Sequence, residues 1–293
     1  MRQYSNKERT FSAINYFLLT AIAFSTLYPF LYILSVSLSS NHAITTNMVI
    51  LWPVEFSWES YKMMMNDGRL IGAFGNTIVI TVIGTVLNMM FTIIAGYVLS
   101  RKRLVGRKNI MGFLIFTMMF GGGLIPNFVL IKFFGLMDSF GALWMLNLVS
   151  VYNMIIMINF FRAIPESLEE AGRIDGAGDL FILFRIMIPL SMPGIATLTL
   201  FYAVGWWNDY FSALVYLTDP AKQPMTVILM QMINSATSNK ALSGQGVLKN
   251  AATITPEGLK SASIIVATVP ILCVFPFLQK YFIKGVMVGS IKG

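Results

Sequence analysis

Leu70–Ser100 reads LIGAFGNTIVITVIGTVLNMMFTIIAGYVLS, without one Asp, Glu, Lys or Arg. A helix needs about 20 mostly apolar residues to cross the hydrocarbon core of a bilayer. This stretch is longer than that and reads as a membrane span. The rest of the chain has the same character: of 293 residues 56% are hydrophobic and 12% charged, and the mean hydropathy is +0.70. Soluble domains carry about 25% charged residues. Half that share leaves too few charges to cover a water-facing surface, which excludes a soluble globular enzyme. The single Cys, Cys273, gives no intrachain disulfide and no Cys-based metal site.

Working outward, five more stretches lack charges over a spanning length. They predict helices at about 11–38, 110–131, 140–161, 193–217 and 261–282, beside 72–99 for the stretch already quoted. The chain is thus expected to be an all-α integral membrane protein with six spans in one transmembrane domain. Arg2, Lys7 and Arg9 flank the first apolar run, but that run is too long for a signal h-region and no small-residue cleavage pattern closes it. It is read as an uncleaved first helix. Gly121–Gly123 followed by Pro126 should interrupt the third span, freeing backbone groups that neighbouring helices or a water-lined cavity must satisfy. The Met residues are read as packing material.

The connections set the orientation. Ser100–Asn109 reads SRKRLVGRKN, five bases and no acid. With six spans this segment, the 162–192 connection and both termini share one side, which then holds 14 of the 21 Lys and Arg and six acids. The whole net charge of +8 lies there, and the other side sums to zero. The Lys/Arg bias places both termini in the cytoplasm, and the excess reflects topology, with no nucleic-acid partner behind it. Residues 39–71 and 218–260 become extracytoplasmic loops, polar and turn-rich, suited to an interaction surface or to plain connection.

Connections between bundle helices need 2–8 residues, yet 162–192 takes about thirty and is patterned. Pro165 suits a first helical position. Glu166, Glu169 and Glu170 follow where the helix dipole favours acids, and Glu169 precedes Arg173 by four. Ile164, Leu168, Ala171 and Ile174 recur at helical spacing. Gly176 and Gly178 should break the helix, and Asp179 should cap a second one, Leu180–Met187, ended by Pro189. The expectation is a helix-turn-helix on the cytoplasmic face.

Glu170-Ala171-Gly172, three residues, Gly176, nine residues, then Ile186-Met187-Ile188-Pro189 resembles the EAA loop of ABC importer permeases. That pattern is E-A-A, three residues, G, nine residues, I-x-L-P. Gly172 stands for the second Ala and Ile188 for Leu. The longer E-A-A-x-x-D-G-A form of sugar permeases is followed from Glu170 through Asp175 and Gly176 to Ala177. The tail Pro276–Gly285, ending Ile291-Lys292-Gly293, and Trp207-Asn208-Asp209-Tyr210-Phe211 are similar to the MalG-like carbohydrate permeases. Phe120–Pro126 is similar to a subgroup handling complex oligosaccharides.

The resemblance implies the type I ABC importer permease fold in a bacterial inner or plasma membrane. It also implies a subunit without catalysis of its own, paired with a second, homologous permease. Two ATPase subunits, expected as identical copies, would bind the ATP and Mg, and an extracytoplasmic solute-binding protein would deliver a carbohydrate, with an oligosaccharide favoured. Glu169, Glu170, Ala171, Gly172, Asp175, Gly176, Ala177, Ile186 and Pro189 are the coupling residues it implies. In such systems the loop docks in a cleft of the ATPase, and ATP-driven closure flips the paired permeases from inward-facing to outward-facing. A permease for a non-sugar solute is the alternative, with a secondary transporter behind it.

In the fifth span, Trp206, Trp207, Asn208, Asp209 and Tyr210 combine aromatic faces with an amide and a carboxylate, which suits sugars along a translocation path. The other reading is interfacial aromatics with Asp209 anchoring a helix end. Membrane-embedded proteolysis is disfavoured. Gly176-Ala177-Gly178-Asp179 matches a G-x-G-D string, but it falls in the loop and has no second intramembrane Asp. His42 is the one His, so H-E-x-x-H is absent, and no G-x-x-x-x-G-K-[ST] phosphate cradle occurs. No metal site is expected.

Overall fold

The computed structural model describes residues 6–244 and 255–290, and all regular structure among them is helical. Ile291-Lys292-Gly293, Arg2, and the stretch 245–254 with Lys249 lie outside the described residues. In chain order the helices are α1 (Asn6–Ser37), α2 (Asn41–Thr45), α3 (Glu59–Asn66), α4 (Arg69–Ser100), α5 (Arg107–Met119), α6 (Leu124–Phe133), α7 (Phe140–Leu146), α8 (Val151–Arg162), α9 (Glu166–Ile174), α10 (Asp179–Ile182), α11 (Ile188–Leu190), α12 (Met192–Trp207), α13 (Phe211–Tyr216), α14 (Met225–Gly244) and α15 (Pro256–Ser290).

Three helices hold stretches long and apolar enough to cross a membrane unbroken: Thr10–Ser37, Arg69–Ser100 and Pro256–Val274. Three bent pairs meet the same criterion when each is taken together: α5 with α6 at 109°, α7 with α8 at 57°, and Asp179–Leu190 with α12 at 83°. The first break falls at Gly121–Gly123, as the glycines and Pro126 predict. Gly123 sits at φ +81° ahead of α6, a conformation that costs a glycine nothing. The second break, at Asn147–Ser150, was not anticipated. Its local reason is Ser150, whose hydroxyl accepts the Asn153 N–H and caps α8. The fifth helix is also shorter than the expected 193–217, since α12 stops at Trp207 and the chain turns at 208–210 before α13.

The chain divides into two units. One comprises residues to Leu70 with Leu229–Val269. In it α1 exposes nearly its whole apolar surface, as a helix solvated by lipid does. The loop after α1 is a folded cap: Val36, Ala43 and Val49 form a small core. Ser35 donates to the Leu51 carbonyl (2.6 Å) and the Tyr61 hydroxyl to Ser37 (2.9 Å). Within the expected 218–260 loop, Met225–Gly244 form α14, with Leu229 and Met232 buried.

The second unit comprises Ile71–Ile228 and residues from 270. Its core is laid along α4. Gly96 lies so close to α8 that a Cβ there would meet Met157 at 3.1 Å, and a Cβ on Gly194 of α12 would overlap the Phe160 ring at 2.5 Å. Met89, Tyr97, Met157, Phe161, Leu183, Met187 and Leu198 bury one another at that junction. At the other end Asp138, at φ +56°, accepts the Thr218 hydroxyl (2.7 Å) and the Asp219 N–H (2.9 Å). Those bonds hold its carboxyl below the usual carboxylate range and fix the α6–α7 connection to the end of α13.

Candidate functional site

Two places in the second unit carry polar chemistry. The first is α9 with the turns after it. Pro165 precedes the helix as its N-cap and does not occupy the first helical position. Glu166 and Glu169 lie in the first turn, and Asp175 is the C-cap. Gly176 follows at φ +81°. The Ala177 N–H donates to the Gly172 carbonyl (2.9 Å) and the Gly176 N–H to the Arg173 carbonyl (3.0 Å). These two bonds are the Schellman ending, which needs a left-handed residue at this position. Gly176 is therefore a helix stop with a defined exit direction.

Asp179 is not a cap. It opens α10, whose cap position is Gly178, and its charge still suits the first turn. The second helix also does not end at Pro189. Leu183–Met187 widens into a π turn, and the helix continues through Pro189 in α11. Proline lacks an N–H and clashes with the carbonyl four residues back, and a π turn is one way to absorb both.

Ile182, Leu183 and Met187 are buried with Phe161 and Leu198. Ile186 and Ala177 pack against that cluster, and Gly172 faces Ile182 and Ile186. The opposite side is bare: Ile174 is 86% exposed and Leu180 71%, with Leu168, Ala171, Phe181 and Phe184 exposed as well. Glu170 is also exposed. Such an apolar face beside an acid marks an interaction surface.

The acids of α9 mostly face the chain itself. Arg101 pairs with Glu169, Lys102 with Glu166 (2.8 Å), and Arg103 and Arg173 both reach Asp179 (2.6 Å). Arg173 also bonds Glu169 (2.9 Å), the i,i+4 pair expected from the sequence. The basic run SRKRLVGRKN is thus clasped on α9 and α10, which a topology rule alone does not foresee. Hydrogen bonds from Arg103 hold the Asp179 carboxyl below its ordinary range, and Lys102 does the same for Glu166. A depressed carboxyl keeps its pairing above the ordinary range and loses it as pH falls through the lowered value. The exposed Lys102–Glu166 pair is screened and weak. Arg101 and Glu169 are only 13% and 12% exposed. Removing one partner of so buried a pair costs up to about 3–5 kcal/mol.

Gly172 is where the EAA pattern has alanine. A Cβ there would meet the flexible end of Ile186 at 3.2 Å and Ile182 at 3.5 Å. Gly172→Ala is expected to leave transport intact and to stabilise α9 by about 0.5–1 kcal/mol. The melting temperature of the purified complex should rise, and loss of transport in this variant would contradict the packing described.

The second place is a cavity of about 500 Å³ at the break between α7 and α8, walled by α4 and α12. Asn88, the polar side chain at its centre, is 1% exposed. Its amide donates to the carbonyls of Asn147 and of Leu148 (2.8 Å), satisfying the broken helix, and its Oδ1 accepts the Trp206 indole N–H (2.6 Å). The Trp206 ring lies on Gly84, where a Cβ would overlap it at 2.5 Å. Tyr202 shares a hydrogen bond with Thr92 (2.8 Å). Asn147, Ser150, Asn153 and Ser212 complete a wall rich in amides and hydroxyls.

Of the five residues expected along a path, only Trp206 and Asp209 line this cavity. Trp207 meets Phe74 edge-on at 5.9 Å. Asn208 donates to the Val204 carbonyl (2.9 Å), and Tyr210 packs into the core beside Leu217. Asp209 combines both readings: Oδ1 accepts the Ser212 N–H (3.2 Å) at the start of α13, while Oδ2 is buried with no hydrogen-bond partner among the described residues. Asn88, Ser150 and Asn153 were missed. The one signal for them was an asparagine inside the charge-free Leu70–Ser100 and the polar step 147–150 inside the fourth span.

Residues 89–288 match the family model described as binding-protein-dependent transport system inner membrane component. The polygalacturonan/rhamnogalacturonan transport system permease protein YtcP of Bacillus subtilis is 39% identical over 98% of this chain and 100% of its own length. The maltodextrin transport system permease protein MdxG of the same species is 28% identical over 95% of each. Among solved structures, a chain of a bacterial ABC transporter involved in the import of the acidic polysaccharide alginate superposes with a TM-score of 0.83. It has 36% identity and covers 96% of this chain and all of that one. The bent spans, the clasped helix pair and these likenesses lead to one conclusion: the chain belongs to the binding-protein-dependent inner membrane components, the transmembrane permease subunits of ABC importers.

Proposed function

We propose that the chain is one half of the translocation pathway of an ATP-driven importer for an oligosaccharide. The observation that carries this is the α9–α10 pair: a rigid, Schellman-terminated element held to its own chain on one side and bare and apolar on the other. That geometry suits docking into a cleft of a cytoplasmic ATPase subunit, with Glu170, Ala171 and Ile174 outermost and Gly172, Gly176, Ala177, Ile186 and Pro189 setting the shape. Glu169 serves by bracing the helix from within, and Asp175 closes its end. The termini and residues 162–192 are then cytoplasmic, and 39–71 and 218–260 face the solute-binding protein. The partners are a second, homologous permease and two ATPase subunits, which bind the ATP and Mg. This chain orients and gates and carries out no catalysis.

The cavity wall supports a carbohydrate cargo. Amides, hydroxyls and a carboxylate meet sugar hydroxyls, and Trp206 and Tyr202 offer apolar edges to sugar faces. The polysaccharide and maltodextrin systems among the relatives point the same way. Among the described residues the wall holds Asp209 and no Lys or Arg, so the carboxylates of an acidic glycan would have to be met by the partner permease. The test is uptake by the reconstituted complex with its binding protein, using trigalacturonate and maltotriose as probes. ATP-dependent uptake of at least one glycan, abolished by vanadate and unaffected by a protonophore, is expected. Uptake that follows the ion gradient would overturn the reading.

A further inference from the structure

We propose that Arg101 is a positioning residue that ties the coupling helix α9 to α4 and so carries its movement to the cavity. The proposal rests on the docking reading above and goes further by naming the transmission point. Arg101 immediately follows the last residue of α4. Nη1 bonds Glu169 of α9, Nε donates to the Ser100 hydroxyl (2.9 Å), and the guanidinium lies 4.7 Å over the Tyr97 ring. It thus grips the last turn of α4 with two contacts and α9 with a third. Tyr97 is itself locked, edge-on against Phe161 at 6.1 Å and buried.

Thirteen positions back along the same unbroken helix stands Asn88, about 20 Å away at the helical rise. Asn88 holds both the α7–α8 break and Trp206. An unbroken α-helix with one face packed into a core transmits a push as a rigid body, because packed cores move between discrete arrangements and do not deform continuously. The Arg101–Glu169 pair is the one among the clasping ion pairs with both partners largely buried. The exposed pairs can rearrange in water without pulling anything.

The experiment uses the full importer with Ser212→Cys as a reporter in the cavity and Cys273→Ser as background. In the parent complex, trapping with ATP and vanadate should slow labelling by a membrane-impermeant maleimide from the cytoplasmic face by about tenfold, as a nearly complete population shift does. Arg101→Gln and, separately, Glu169→Gln should retain ATPase subunits and vanadate trapping but lose the protection to within about twofold, and the double variant should be no worse than either single one. Lys102→Gln/Glu166→Gln should behave as the parent. Protection preserved in Glu169→Gln would overturn the proposal even if Arg101→Gln fails to assemble, and so would loss of ATPase subunits from Glu169→Gln. A parent complex without nucleotide-dependent protection would instead overturn the docking reading itself.

Discussion

Gly176→Val is expected to abolish coupled uptake while leaving the ATPase subunits bound. The residue sits at φ +81°, where a side chain with a β-branch costs about 1–3 kcal/mol. The chain can escape that cost only by giving up the Ala177–Gly172 and Gly176–Arg173 bonds that end α9. Ala177 then leaves its place against the cluster of Ile182, Leu183 and Met187. The docking face survives on α9, but its angle to α10 does not. Uptake should fall at least about tenfold, the result of roughly 1.4 kcal/mol of misplacement, while hydrolysis continues unlinked to it. Gly176→Asn should be milder, since asparagine visits the left-handed region. Equal activity of the valine and asparagine variants and the parent would show that the turn is not under this constraint.

Asn88→Leu is expected to remove most folded permease from the membrane. Leucine keeps the branched four-atom skeleton of asparagine, so the lost hydrogen bonds dominate, and its bulkier methyls add some overpacking. The buried Trp206 N–H loses its acceptor at a cost of about 1–3 kcal/mol, and the Asn147 and Leu148 carbonyls lose bonds worth about 0.5–1.5 kcal/mol each. In a protein stable by about 5–15 kcal/mol that is a large share. Fluorescence size-exclusion of detergent extracts checks it: the monodisperse peak should shrink several-fold. A full peak together with normal uptake would mean that other groups hold the α7–α8 break.

The long apolar helices were legible because charge-free length is a property of the bilayer, and Leu70–Ser100 satisfies it without help from any neighbour. The break at Gly121–Gly123 was legible for the same local reason. The break at Asn147–Ser150 was not, because Ser150 and Asn147 look like tolerated polar residues until Asn88, about sixty residues earlier, comes into hydrogen-bond reach. The helix pair of 162–192 was legible as a pattern but not in its contacts. The spacing accounts for Glu169 with Arg173, but nothing in it shows that Glu166, Glu169 and Asp179 face Lys102, Arg101 and Arg103 of a different connection. No local rule pairs two loops about sixty residues apart. Trp207, Asn208 and Tyr210 were placed on the path by their chemistry; α12 ends at Trp207, and these three do not line the cavity beside Asn88.

The central claim, that the bare face of α9 and α10 is where the ATPase binds, is tested most directly at Ile174. Ile174→Cys in a Cys273→Ser background should react rapidly with a water-soluble maleimide in the permease pair alone, as its exposure requires. Adding the ATPase subunits should slow that reaction at least about tenfold, as burial in an interface core does. Trp52→Cys, exposed in the 39–71 loop proposed to be extracytoplasmic, should react at an unchanged rate. Undiminished labelling of Ile174→Cys in the fully assembled importer would contradict the account.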